Sequence, residues 1–106
     1  MQVSIYGGWQ AATIADNAKS SDEVDLGRPW DFINISIPTV TSGTLKLQVS
    51  ESSGGTFQDL GASMTTATTT GAYNDVWKIN GYQFIKVVSS ATQGAERLIR
   101  VRGIRF

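Results

Sequence analysis

GYQFIKVVSSATQGAERLIRVRG, residues 81–103, is the stretch that decides the fold class. Two apolar-rich runs, residues 84–88 and 98–101, flank a polar connection that contains a glycine, residues 89–96. That layout predicts a β-hairpin with a long loop. In the second run Ile99 and Val101 alternate with Arg100 and Arg102, so one face is apolar and the other cationic. Ile85, Val87, Ile99 and Val101 are therefore expected in a core.

The same period of two runs upstream. Gly27, Arg28 and Pro29 give a turn signal. After it Ile33, Ile35 and Ile37 share one face, with Asn34 and Ser36 on the other. Pro38 marks the end of central pairing. Leu45, Leu47 and Val49 alternate with Lys46, Gln48 and Ser50. A loop around Ser53 leads to a short strand over residues 56–60, a second hairpin. β-Branching favours extended backbone in TTATTT, residues 65–70. Tyr73, Val76, Trp77 and Ile79 are the apolar members of the next strand, with Trp77 in the core. Asn80 and Gly81 then form a two-residue turn signal that feeds the closing hairpin. About seven or eight short strands with Gly, Ser, Asn and Pro turns predict an all-β fold: a single antiparallel β-sandwich, jelly-roll-like.

The amino-terminal residues read differently. Gly7 and Gly8 interrupt any strand, and Ala11, Ala12, Ala15 and Ala18 are small. Residues 1–18 are expected as an extended arm or a loosely attached first strand, and residues 19–106 as the sandwich domain. A short helix through residues 11–19 is disfavoured, because no apolar stripe supports it.

Composition excludes most chemistry. With no histidine and no cysteine, the chain lacks the commonest general base, the Ser–His and Cys–His nucleophile pairs and any thiolate metal site. The carboxylates are scattered over turns and strand ends, so no enzyme is expected. Asp22, Glu23 and Asp25 lack the spacing of a calcium loop, and a solvated turn is the better reading. Asn34-Ile35-Ser36 matches a glycosylation acceptor but falls within a strand. No cofactor and no metal are expected. Nine basic and nine acidic residues balance, which argues against nucleic acid as a partner. No apolar run reaches the roughly 20 residues of a membrane span, and residues 1–10 show no signal-peptide pattern.

What remains is surface. Tyr6 and Trp9 are candidate anchors into a partner, since exposed aromatics dominate interfaces. Arg100 and Arg102 offer a cationic strand face, either plainly solvated or a docking edge for an acidic surface. The flat aromatics also keep glycan binding open.

Read together, VDLGRPWDFINISIPTVTSGTLKLQVSESSGGTFQDLG and the closing GYQFIKVVSSATQGAERLIRVRG resemble small β-sandwich virion proteins of tailed bacteriophages. In that group an LGR-P turn precedes a strand ending in IP. A TSGTL strand start, GGTF and a closing hairpin follow. The likeness spans roughly residues 24–103. It implies a capsid decoration (cement) or head-fibre-like protein, made in the host cytoplasm and carried on the outer capsid surface. The expected partners are the major capsid protein and further copies of the chain, most plausibly as a trimer. The amino-terminal arm would order on binding. The alternatives are a carbohydrate-binding or host-adhesion module of a fibre, and a tail or neck component.

Overall fold

Strict alternation of apolar and polar residues gives nearly every segment one face to bury, and the chain solves this with two stacked sheets. A computed structural model describes residues 5–40, 44–60 and 73–105. Among these there is no helix, and there are nine strands: β1 (Ile5–Tyr6), β2 (Gln10–Ile14), β3 (Val24–Asp25), β4 (Phe32–Ile37), β5 (Leu45–Ser50), β6 (Gln58–Asp59), β7 (Tyr73–Lys78), β8 (Phe84–Ser89) and β9 (Arg97–Arg105). The TTATTT stretch lies outside the described residues.

In the five-stranded sheet, β9 pairs on one side with β1 and β2 in succession and on the other with β4, which pairs with β7. The four-stranded sheet runs β3-β8-β5-β6. Every pairing is antiparallel. The order β2-β9-β4-β7 facing β3-β8-β5-β6 is a jelly roll, two interleaved Greek keys. The expected all-β sandwich is therefore the observed fold.

The core lies between the sheets. Ile14, Ile33, Ile35, Ile37, Ile85, Val87, Ile99 and Val101 are fully buried in it, joined by Leu45, Leu47, Trp30 and Trp77. Alternation assigned inward all of these except Ile14, Trp30 and Trp77; Trp77 was expected in the core, while Ile14 and Trp30 were not.

One expectation needs correction. The closing segment is not a hairpin: β8 belongs to the four-stranded sheet and β9 to the five-stranded one. Residues 90–96 arch across the core instead. A buried side chain, Gln93, holds the arch by donating Nε2 to Ser89 Oγ (2.9 Å) and to the Ala91 carbonyl (3.1 Å). Its Oε1 accepts from Arg97 Nε at 3.2 Å. Asn80 and Gly81 do form a tight turn, with φ of 57° and 88° and the Tyr82 N–H donating to the Ile79 carbonyl at 3.3 Å. That turn also crosses between sheets. Only the hairpin around Ser53 stays within one sheet, with Gln48 opposite Asp59 and Val49 opposite Gln58.

The amino terminus was expected as an extended arm or a loosely attached first strand. Residues 10–14 form a strand, in register with β9 from Gln10 opposite Val101 to Ile14 opposite Arg97. Ala12 and Ile14 face inward and are buried in the shared core. Of the alanines read as looseness, Ala12 is buried in this core and Ala18 packs partly against it, while Ala11 and Ala15 are exposed.

One close approach fixes the end of the sandwich. Gly103 of β9 lies directly under the buried Trp30 ring, and any side chain at 103 would occupy the ring's own space. Trp30 Nε1 donates to the Leu26 carbonyl at 3.0 Å, which locks the ring in place.

Two substitutions test this architecture in urea denaturation. Gly103→Ala is expected to destabilise the protein by about 1–3 kcal/mol through overpacking against Trp30. Ile14→Ala is expected to cost about 2–5 kcal/mol, the loss of a core side chain. A cost near zero at Ile14 would restore the arm.

Candidate functional site

The outer face of the five-stranded sheet brings together all four residues singled out in the sequence. Arg100 and Arg102 point outward from β9, because Ile99 and Val101 point in. Tyr6 and Trp9 reach the same face through a break in register. Tyr6 pairs with Ile104, while Gln10 pairs with Val101. Gly7, Gly8 and Trp9 thus oppose only Arg102 and Gly103, a β-bulge with one extra residue. Side chains alternate at every residue of a strand, so the extra residue resets the parity. Without it Tyr6 and Trp9 would lie on opposite faces; with it both face outward. The glycines suit this, since Gly7 packs against Trp30 and its N–H bonds the Gly103 carbonyl at 2.9 Å.

The result is a ladder of rings and guanidinium groups. Arg102 lies 4.8 Å from the centroids of both Tyr6 and Trp9, and Arg100 lies 5.3 Å from Trp9. Such contacts hold an arginine flat against its aromatic partner. With the Asn34 amide turned so that its oxygen faces Arg102, that oxygen accepts from Nε and Nη2, each at 3.1 Å. Tyr6 and Trp9 nonetheless remain 53% and 41% exposed, too open for core residues.

Alongside, Trp9, Asn34, Asn74, Asp75, Val76 and Arg102 line a recess of about 330 Å³. The register explains the grouping: Asn34 of β4 stands between Arg102 of β9 and Val76 of β7. Val76, read in the sequence as an apolar member of its strand, is 49% exposed on this face. Asp75 turns its carboxylate to its own strand. Oδ1 accepts from the Val76 N–H at 2.8 Å and Oδ2 from Trp77 Nε1 at 3.1 Å. Asn34, Asn74, Asp75 and Val76 were not picked out as site residues. Alternation placed Asn34 outward, but nothing in the sequence says which strands flank it.

The other sheet contrasts with this. On its outer face Lys46 pairs with Asp59 at 2.9 Å, Gln48 Nε2 also donates to Asp59, and Lys86 lies 4.7 Å from the Phe57 ring centroid. Charges there are largely matched, whereas among the described residues no acid pairs with Arg100 or Arg102.

The acids near residue 23 are likewise engaged in separate local bonds. Glu23 accepts from Ser53 Oγ and the Gly54 N–H, and Asp25 from Gln83 and the Gly27 N–H. Among the described residues no three His, Cys, Asp or Glu side chains converge as a metal site would require. Two further recesses, about 610 and 340 Å³, share Ser50, Glu51 and Tyr82. Neither is lined by a cation or by a nucleophile–base pair.

Three carboxyl groups are held below their usual range. For Glu23 the leading cause is the Ser53 hydrogen bond, followed by the Gly54 N–H. For Asp25 it is Gln83, then Gly27, and for Asp59 it is Lys46, then Gln48.

Comparisons with solved structures bear on the fold. The crystal structure of the SPBc2 prophage-derived protein YomS is similar over 98% of this chain and 96% of that one, with TM-score 0.61 and 8% identity. The F5/8 type C domain of a Bacteroides fragilis protein is similar over 92% of this chain and 93% of that one, with TM-score 0.56 and 9% identity. Identities this low establish a shared fold and no more. No protein-family model and no curated protein matches the sequence.

The shifted carboxyls give a signed pH dependence. A carboxyl whose pKa is depressed on folding stabilises the fold above its unfolded pKa, and that contribution is lost as pH falls through the folded value. The urea midpoint is therefore expected to hold steady from neutrality down to about pH 4 and then fall. Glu23→Gln is expected to make that acid limb shallower. An acid limb identical to wild type would show that the Ser53–Gly54 clasp is not formed in solution.

Proposed function

We propose that this chain is a non-catalytic structural protein of a tailed-phage particle. In this reading it is a capsid decoration (cement) protein that binds the major capsid protein at the outer capsid surface as a homo-oligomer, a trimer. The observation that carries the reading is the exposed Tyr6–Arg102–Trp9–Arg100 ladder on an otherwise well-satisfied jelly roll. Trp, Tyr and Arg are the residue types that dominate binding energy at protein interfaces. They stand here on the outer face of a sheet, with no acidic partner among the described residues for the two cations.

Three further points support it. The absence of histidine and cysteine removes the common routes to catalysis. The prophage-derived YomS has a similar fold over nearly the whole of both chains. Zero formal net charge leaves little self-repulsion to oppose packing of copies side by side.

The mechanism is mechanical. A protein that binds only the assembled lattice stabilises that lattice by mass action. Because Trp9 is set by a bulge within the sheet, docking does not require an arm to order. Its conformational cost was met when the sandwich folded.

The test uses purified particles of the phage that encodes the chain. The protein is expected among the particle proteins, and particles lacking it are expected to release their genome several degrees lower on heating. Trp9→Ala is expected to weaken rebinding to depleted particles about tenfold or more. Light scattering of the isolated protein gives the oligomer number. A protein absent from washed particles would overturn the reading.

A further inference from the structure

The outer face carries more than a generic contact surface, because one of its cations is built like a receptor. We propose that the recess beside Trp9 receives a single carboxylate of the docking partner, an acidic side chain on a protein surface, with Arg102 as its principal donor. This rests on the docking reading and specifies the chemistry of the partner.

The argument begins with what fixes Arg102. Its guanidinium is 4.8 Å from each of two ring centroids, and its Nε–Nη2 edge is taken by the Asn34 oxygen at 3.1 Å. A free arginine loses much rotamer freedom when it binds; this one has already lost it. The Nη1 side and the outer hydrogen of Nη2 remain to donate. Arg102 also lines the recess, so those donors have a space of about 330 Å³ beside them.

The recess selects an anion. Arg102 lines it and Arg100 lies nearby against Trp9, and among the described residues neither cation has an acidic partner. Asp75, the one acid among the lining residues, has its carboxylate committed to the Val76 N–H and the buried Trp77 indole. A negative group entering here meets uncompensated positive charge in a site partly shielded from water, where a charge-assisted bond is stronger than on open surface.

The recess also selects the shape of the carrier. Trp9 and Val76 supply apolar contact, and Asn34 and Asn74 supply amides. A glutamate or aspartate side chain matches this, with its methylene stem against the Trp9 ring and its carboxylate on Arg102. A sheet face with a recess of this size suits a protein surface carrying one protruding acid. A long polyanion such as nucleic acid would instead call for a continuous basic track, and the chain's charge is balanced overall.

Two measurements test this separately from the docking reading. In the first, rebinding to depleted particles is followed at rising salt. Wild type is expected to weaken steadily with salt. Arg102→Gln is expected to lose about tenfold or more at low salt and to show a flatter salt dependence, with its urea midpoint unchanged. Arg102→Lys is expected to recover only part, because lysine has neither the planar fork nor the stacking. Lys86→Gln, on the opposite sheet, is expected to bind as wild type. If Arg102→Gln binds with wild-type affinity and salt dependence, the carboxylate site is overturned while the docking reading stands.

In the second, Trp fluorescence of the isolated protein is titrated with N-acetyl oligoglutamate. Trp9 is the exposed indole, while Trp30 and Trp77 are each 4% exposed. A saturable change that disappears in Arg102→Gln supports the site even if particle binding fails. No response in wild type overturns it. A response to oligogalacturonate alone would also overturn it, and would assign the recess to an acidic glycan.

Discussion

The five-stranded sheet is built on β9, the strand whose two edges and inner face are all committed to partners. Its backbone bonds β1 and β2 on one side and β4 on the other. Its inward residues, Ile99 and Val101, are fully buried against the second sheet, and Gly103 is kept bare by the Trp30 ring. With both edges and the inner face committed, only its outer face is left free to vary. That face carries Leu98, Arg100 and Arg102. The core thereby fixes where the arginines point, and the site inherits its rigidity from packing rather than from contacts of its own.

The bulge at residues 7–9 is what converts a strand face into a site. β9 alone would present two arginines without rings beside them: Arg100 lies between Ala11 and Ser36, and Arg102 beside Asn34. The inserted residue shifts parity so that Tyr6 and Trp9 fall on the same face as the cations. A bulge ordinarily weakens the ladder where it occurs, leaving an extra residue unpaired. Here the Gly7 N–H keeps a bond to the Gly103 carbonyl, and the two rings gain contact with both guanidinium groups. The two glycines that look like a flaw in a strand thus set the geometry of the exposed face.

How much of this was legible depends on which physics each feature uses. Burial follows the local period of two, so the inward residues of β4, β5, β8 and β9 could be read directly from alternation. Which strands pair could not. A hairpin and a cross-sheet arch use the same polar connection and the same flanking apolar runs. What separates them is whether a residue such as Gln93 finds buried partners, and those are Ser89, Ala91 and Arg97 in a geometry visible only after folding. The turn at Asn80 and Gly81 makes the same point: its backbone type was readable and its destination was not. At the site, Tyr6, Trp9, Arg100 and Arg102 were individually suspect as exposed aromatic and cationic residues. Their assembly required the parity shift, and the recess required β7 to lie beside β4, a pairing that links residues about forty positions apart.

A strand rather than an arm at residues 10–14 changes the kind of binding the molecule is suited to. A disordered arm that folds on contact spends part of its interaction energy on ordering, which lowers affinity for a given area. A ring and a guanidinium already stacked on a nine-residue strand carry no such cost, so a small area can hold tightly. They also tolerate less misfit, because neither can follow a partner that approaches at the wrong angle. A repeating, geometrically regular surface suits that bargain: it presents the same contact at the same angle many times, so rigidity costs nothing in adaptability. On the proposed reading, this is why a pre-set Tyr6–Arg102–Trp9–Arg100 ladder suits attachment to an ordered lattice better than capture of a flexible chain.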